Sequence, residues 1–252
     1  MEHSDQPNVV VILFDKCLRD AIGAYGLKDV HTPNIDRLAQ SGVLFSSCYT
    51  PQSLCGPARA SILTGKHPHT HGLNRNVYPH SEWAGHPNVF ADAIANPFDD
   101  SRFDLWDNFP FLLHNAGYRT AHIGKWHLGM GNPGFFDRWM SFNSGLPHWI
   151  GAPHESAYRP DVHTDIGIEF IEENAGRPFF LYQSYYAPHE PLDPPKRFLQ
   201  LYEDSGIEPA AYYAAVSNLD WNIGRLLAAL EQQNLLDRTL ITLTADHGRC
   251  WE

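Results

Sequence analysis

Three short segments and two strand-end acids carry the residue types that do chemistry. The first segment is Leu54-Cys-Gly-Pro-Ala-Arg-Ala-Ser-Ile-Leu-Thr-Gly65. Proline is favoured in the first turn of a helix, where a missing N–H is no loss. Pro57 therefore predicts a helix over residues 56–63, stopped by Gly65, with Cys55 at or just before its N-terminus. There the helix dipole and the unbonded N–H groups favour an anion, and they are expected to lower a thiol pKa. Arg59, four residues on, shares the face of Cys55. A reactive group and a guanidinium at a helix N-terminus form an oxyanion-binding arrangement. The plainer alternative is a buried cysteine and a surface arginine.

The second segment is Gly124-Lys-Trp-His-Leu-Gly129. Lys125 and His127 are two apart, so in extended chain they point the same way, and a cation beside an imidazole suits anion binding with proton transfer. The third is Ala187-Pro-His-Glu-Pro191, where His189 follows an apolar run. Asp15 follows a first apolar run, and Asp246-His247 follows a last one. Sites in open α/β sheets form at the carboxyl ends of strands, so Asp15, Asp246 and His247 are expected to converge. Two carboxylates and an imidazole suit a divalent cation, with the oxygens favouring Ca²⁺ or Mg²⁺. Turn-capping acids and a surface histidine are the alternative.

The elements that must position these residues are readable from pattern. Residues 8–14 (NVVVILF), 120–123, 179–186 (FFLYQSYY) and 240–244 (LITLT) read as strands, the most apolar of them buried on both faces as in a parallel sheet. Residues 43–49 read as a strand or extended segment. Helices are expected from Thr32-Pro33, with Thr32 as N-cap and Gly42 beyond the end, and over residues 109–115, 161–174 and 209–233. Residues 74–108 and 129–160 read as long irregular loops, often functional at that length. Their Trp83, Trp106, Trp139 and Trp149 could stack on a sugar or aryl ring, or simply pack the loops. Alternating strands and helices predict an α/β fold with a mostly parallel central sheet flanked by helices.

The chain has 252 residues, 43% hydrophobic and 19% charged. That is globular composition, excluding disordered, collagen-like and coiled-coil chains. Eighteen Lys and Arg against 29 Asp and Glu leave a net charge of −11, opposite to a nucleic-acid binder. An anionic substrate then needs a local cluster of positive groups. Cys17, Cys48, Cys55 and Cys250 form no CxxC pair and suggest no disulfide scaffold. The polar, acidic start is unlike a secretory signal, and no apolar run approaches the ~20 residues of a membrane helix. The expectation is a soluble, cytoplasmic protein with no membrane partner, although a removed signal would leave the same start.

Cys55-Gly-Pro-Ala-Arg59 followed by Leu63-Thr-Gly65 resembles the sulfatase signature, C-x-P-x-R with a following L-T-G. Residues 8–15, Gly23-Ala-Tyr-Gly26, Thr32-Pro-Asn-Ile-Asp-Arg-Leu-Ala39, Gly117-Tyr118, residues 124–129, Ala187-Pro-His189 and Ala245-Asp-His-Gly248 all fall in the family's order. The resemblance implies a formylglycine-dependent type I sulfatase of the alkaline-phosphatase superfamily, with residues 1–252 as its catalytic domain. By that resemblance a formylglycine-generating enzyme oxidises Cys55 to an aldehyde. The aldehyde hydrates to a diol, one oxygen attacks sulfur, and the other later expels sulfate. Arg59 would steady the formylglycine and His127 would assist its hydroxyls. Lys125 and His189 would hold the sulfate and protonate the leaving oxygen. Asp15, Cys55, Asp246 and His247 would bind the cation, most commonly Ca²⁺, with Mg²⁺ or Mn²⁺ as alternatives. The substrate would be a small-molecule or carbohydrate sulfate ester.

Two departures from the family pattern stand out. Lys16 occupies the place of a second metal ligand, where a protonated amine cannot ligate; it could turn away or partly replace the cation's charge. The chain also ends soon after the Asp-His-Gly strand, so the catalytic domain is expected to be incomplete at its C-terminal end and to lack the C-terminal subdomain. Weak turnover and self-association through an uncovered sheet edge are the corresponding expectations. The rival readings are a phosphonate or phosphate ester hydrolase of the same superfamily and a non-catalytic, sulfatase-like anion-binding protein.

Overall fold

Val10, Ile12 and Phe14 of the first strand, β1 (Asn8–Phe14), face one apolar cluster and Val11 and Leu13 face another. A strand buried on both sides needs no polar alternation, which is why the run NVVVILF is continuous. The computed structural model describes residues 6–77, 107–129 and 131–249. Among them lies one five-stranded sheet in the order β3-β2-β4-β1-β5, every pairing parallel. The other strands are β2 (Arg119–Lys125), β3 (Arg138–Phe142), β4 (Phe179–Ser184) and β5 (Thr239–Ala245).

The helices are α1 (Pro33–Ser41), α2 (Cys55–Thr64), α3 (Pro68–His71), α4 (Phe109–Asn115), α5 (Arg159–Glu173), α6 (Lys196–Leu199) and α7 (Ala210–Gln232). Helices α5 and α7 cover one face of the sheet, where Phe170, Ile171, Val216, Leu219 and Ile223 pack on β1 and β4. Helix α2 covers the other through Ala60 and Leu63, beside an aromatic group that includes Trp126, Phe136, Phe180 and Tyr182. Parallel pairing puts the carboxyl ends of β1, β2, β4 and β5 along one edge, with Leu13 level with Ser184, Ser184 with Gly124, and Phe14 with Ala245.

Three details differ from the sequence-based expectations. Residues 43–49 form no strand; Val43, Phe45 and Tyr49 are exposed. Two carbonyls there accept from Tyr25 Oη and Arg19 rather than from a neighbouring strand. Strand β3 lies inside a stretch read as irregular. Thr32 does not cap α1 with its side chain. Its hydroxyl accepts from Gly23 N–H and bonds Asp36, while Asp220 on α7 accepts the Ile35 N–H at 2.8 Å. Trp139 packs among Trp126, His122 and Phe136. Trp149 stacks on Tyr158 and donates its indole N–H to Asp193 O. Both pack the protein, while Trp83, Trp106 and Cys250 lie outside the described residues.

Candidate active site

Asp15 leaves β1, Lys125 closes β2, Ser184 closes β4 and Asp246 leaves β5. The fold therefore delivers four polar side chains to one edge, and α2 delivers Cys55 and Arg59 to the same place. Asp15 is fully buried, and Arg59, Lys125 and Asp246 are nearly so. Arg59 is the hub: Nε donates to Asp246 Oδ2 at 3.0 Å, one terminal nitrogen to Asp15 Oδ2 at 3.2 Å, and the other to Lys125 O and Ser184 Oγ, both at 2.7 Å. Lys125 Nζ donates to Asp15 Oδ2. Ser184 Oγ donates back to Lys125 O at 2.6 Å. Gly124 makes this approach possible: its φ is +106°, and a Cβ there would lie 1.8 Å from Ser184 O.

The electrostatics follow from that pairing. Burial pushes the Asp15 carboxyl up, but Lys125 and Arg59 outweigh it and hold its pKa down at about 2. Burial and the Asp15 charge raise Asp246, against Arg59. Burial also opposes the charge of Arg59, and Asp246 and Asp15 more than offset it. Two carboxylates and two cations thus balance where an unpaired charge would be costly.

Cys55 Sγ lies 3.5 Å from Asp15 Oδ1 and 3.3 Å from His247 Nε2. The lowered thiol pKa expected at a helix N-terminus is not found. Burial, Asp15 and Asp246 push it up to about 12, because neighbouring anions and desolvation disfavour the thiolate more than the dipole favours it. The unmodified residue is a protonated thiol at neutral pH.

The donor set fits a divalent cation. Asp15, Cys55, Asp246 and His247 are all buried and offer ligand atoms within 4.8 Å of one another. Asp246 Oδ1 also accepts the N–H of Lys16 at 3.1 Å and of His247 at 2.8 Å. His247 Nδ1 lies 2.7 Å from Gly248 O, a contact that places its proton on Nδ1 and leaves Nε2 free to ligate, the second-shell pattern of metal-binding imidazoles.

His127 is buried just beyond β2, at a left-handed φ of 59°, so it reaches the site through a turn and not by the extended alternation expected from its spacing. Burial, Lys125 and Arg59 depress its pKa to about 2, which makes it a neutral imidazole. His189 stacks on Tyr186 with ring centroids 4.5 Å apart, and Lys125 Nζ lies 4.9 Å from the same ring. Burial lowers the pKa of His189 as well. Three partners went unread in the sequence: Ser184, Tyr186 and Glu190. Ser184, a polar residue closing an apolar strand, was the one visible signal. Lys16 turns its ammonium to Glu190, 3.5 Å away, the first of the two courses open to it.

An all-parallel α/β sheet with paired acids, a helix-N-terminal cysteine and an arginine hub at its carboxyl edge defines an alkaline-phosphatase-like fold. The sulfatase family profile matches residues 7–250, and the chain belongs to the sulfatase family. It is 33% identical over 252 residues to an N-acetylglucosamine-6-O-sulfatase of Bacteroides thetaiotaomicron, covering 95% of this chain and 40% of that protein. It is 30% identical over 285 residues to the human N-acetylgalactosamine-6-sulfatase, covering 96% of this chain and 50% of that protein. The crystal structure of Ps i-CgsB in complex with k-i-k-neocarrahexaose superimposes with a TM-score of 0.80 at 28% identity, over 96% of this chain and 58% of that one. The chain thus spans half or less of the length of these two sulfatase relatives. Among the described residues no helix is long and apolar enough to cross a membrane.

Proposed function

We propose that this chain carries the catalytic site of a carbohydrate sulfate ester hydrolase whose nucleophile is a formylglycine made from Cys55 by a formylglycine-generating enzyme. One observation carries the reading: Cys55 Sγ opens α2 in direct contact with Asp15 and His247, inside the buried Arg59–Lys125 charge cluster. Burial and two neighbouring carboxylates disfavour a thiolate nucleophile at this position, and conversion of the residue would give the site an oxygen nucleophile instead. The hydrated aldehyde would supply the attacking oxygen.

In this reading Asp15, Asp246, His247 and the residue at position 55 hold a divalent cation. Bound there, it would polarise the sulfate and acidify the attacking hydroxyl. Arg59 locks both carboxylates and, through α2, the position of residue 55. Lys125 and His189 meet the sulfate oxygens. The Nδ1 proton of His189 points to Glu190 O, 3.0 Å away, so Nε2 is the atom that hands a proton to the leaving alcohol once the anionic substrate raises its proton affinity. Neutral His127 takes the proton of the remaining hydroxyl, a task that needs an unprotonated imidazole.

The relatives named for 6-sulfated N-acetylhexosamines, and the solved neighbour bound to a neocarrahexaose, support a sulfated carbohydrate as substrate. The test is sulfate release from N-acetylglucosamine 6-sulfate and an aryl sulfate, with the matching phosphonate and phosphate esters in parallel. The protein is co-expressed with the maturation enzyme. Faster cleavage of the sulfate esters, abolished in Cys55→Ala, is expected. Faster cleavage of the phosphonate would support the rival hydrolase. Substrate-analogue binding without turnover would support the anion-binding reading, which Lys16 favours.

A further inference from the structure

Lys16 follows Asp15 directly, and its N–H bonds Asp246 Oδ1, so its backbone lies against both carboxylates of the proposed cation site. Its ammonium is held elsewhere. The residue adopts φ 57°, a conformation ordinary side chains rarely take. Tyr212 fixes that turn by donating from Oη to Lys16 O at 3.1 Å and accepting from Leu18 N–H at 2.8 Å. At the rim, Lys16 Nζ lies 3.5 Å from Glu190 Oε2. The same carboxylate receives Arg249 at 2.6 Å on Oε1. Glu190 is the acidic member of a rim that carries two cations, Lys16 and Arg249.

We propose that Glu190 is a positioning residue that anchors the Lys16 ammonium at the rim and offsets its charge, keeping the Asp15–Asp246–His247 cluster available to a divalent cation. The proposal rests on reading that cluster as a cation site. Without Glu190, the Lys16 ammonium would lose the carboxylate it faces, beside a pocket whose carboxylates already face Arg59 and Lys125. Its charge would then act on the site from one residue beyond Asp15, with no carboxylate at the rim to offset it. That opposes a dication, and it acts through the charge on Lys16.

The experiment is calcium titration by calorimetry on the metal-free protein, with thermal melts to check folding, for wild type, Glu190→Gln, Lys16→Met and the double variant. At low salt Glu190→Gln should weaken calcium binding about tenfold, an effect that shrinks at high ionic strength. Lys16→Met should bind at least as tightly as wild type. The double variant should return to within about threefold of wild type, since removing the ammonium removes the repulsion. Wild-type affinity in Glu190→Gln would overturn the proposal and leave the cation site standing. A loss that the double variant does not recover would also overturn it, because the effect would not run through Lys16. A wild-type protein that binds no calcium would overturn the cation site and this proposal together.

Discussion

Two buried carboxylates, one at the carboxyl edge of the sheet and one on α7, show how differently one side-chain type can be used. Asp15 sits at the carboxyl edge against Lys125 and Arg59. Asp220, on α7, accepts only from neutral donors, Asn34 Nδ2 and Ile35 N–H, both at 2.8 Å. Both are buried. Burial raises the pKa of Asp220 to about 6, whereas Lys125 and Arg59 overcome the same desolvation and bring Asp15 down to about 2. Burial alone therefore does not mark the acid of the candidate site. The mark is the company of fixed cations, which the fold concentrates at the strand ends. The neutral cluster does structural work, docking the first turn of α1 on α7.

The comparison predicts opposite responses, and the largest belongs to the charged cluster. Arg59→Ala leaves Asp15 and Asp246 buried with Lys125 as their remaining cation. Breaking a buried pair by removing one partner typically costs about 3–5 kcal/mol, so a fall of that order is expected in chemical denaturation at neutral pH. A loss below about 1 kcal/mol, the range of an exposed pair, would show that the cluster is not a tightly balanced unit.

Acid titration comes next, and the signs differ. Asp15 binds a proton less readily when folded, so its contribution is present above about pH 4 and is lost as the pH falls towards 2. Asp220 binds one more readily when folded, so stability declines as the pH rises from about 4 through 6. Asp220→Asn should remove that decline. The variant should gain on wild type across the window by on the order of 2–3 kcal/mol, read from urea midpoints at pH 4 and pH 7. Parallel curves would mean that folding does not shift the Asp220 pKa.

The smallest effect concerns Lys16. Lys16→Asp would add an oxygen donor beside Asp15, and calcium affinity should tighten about tenfold by titration, since affinity follows ligand charge count. An unchanged affinity would show that position 16 does not limit the cation site.

The same contrast explains what the sequence disclosed. Strand β1, α2 and β5 were readable because continuous apolar runs and a proline-marked helix start are local signals. Cys55, Asp15 and Asp246 were singled out because they end or begin those elements, and Arg59 because it lies one helical turn from Cys55. Strand β3 was hidden: Arg138–Phe142 is a half-exposed edge strand with no apolar run to announce it. Residues 43–49 misled for the opposite reason, apolar composition without a partner strand. The direction of the Cys55 shift depended on two acids 40 and 191 residues away, which no local reading of a helix N-terminus contains. The link from Lys16 to Glu190 likewise joins segments that meet only when β1 and β4 pair.

The central claim is that position 55 carries a formylglycine beside the cation site. Peptide mass spectrometry of the protein co-expressed with a formylglycine-generating enzyme tests it most directly. Replacing the CH₂SH of Cys55 by an aldehyde removes about 18 Da from the peptide that contains it, a two-electron oxidation of the thiol carbon distinct from the usual sulfur-oxidation ladder. The account predicts that mass loss at Cys55, absent in Cys55→Ala. An unmodified thiol at position 55 in every co-expressed preparation would contradict it.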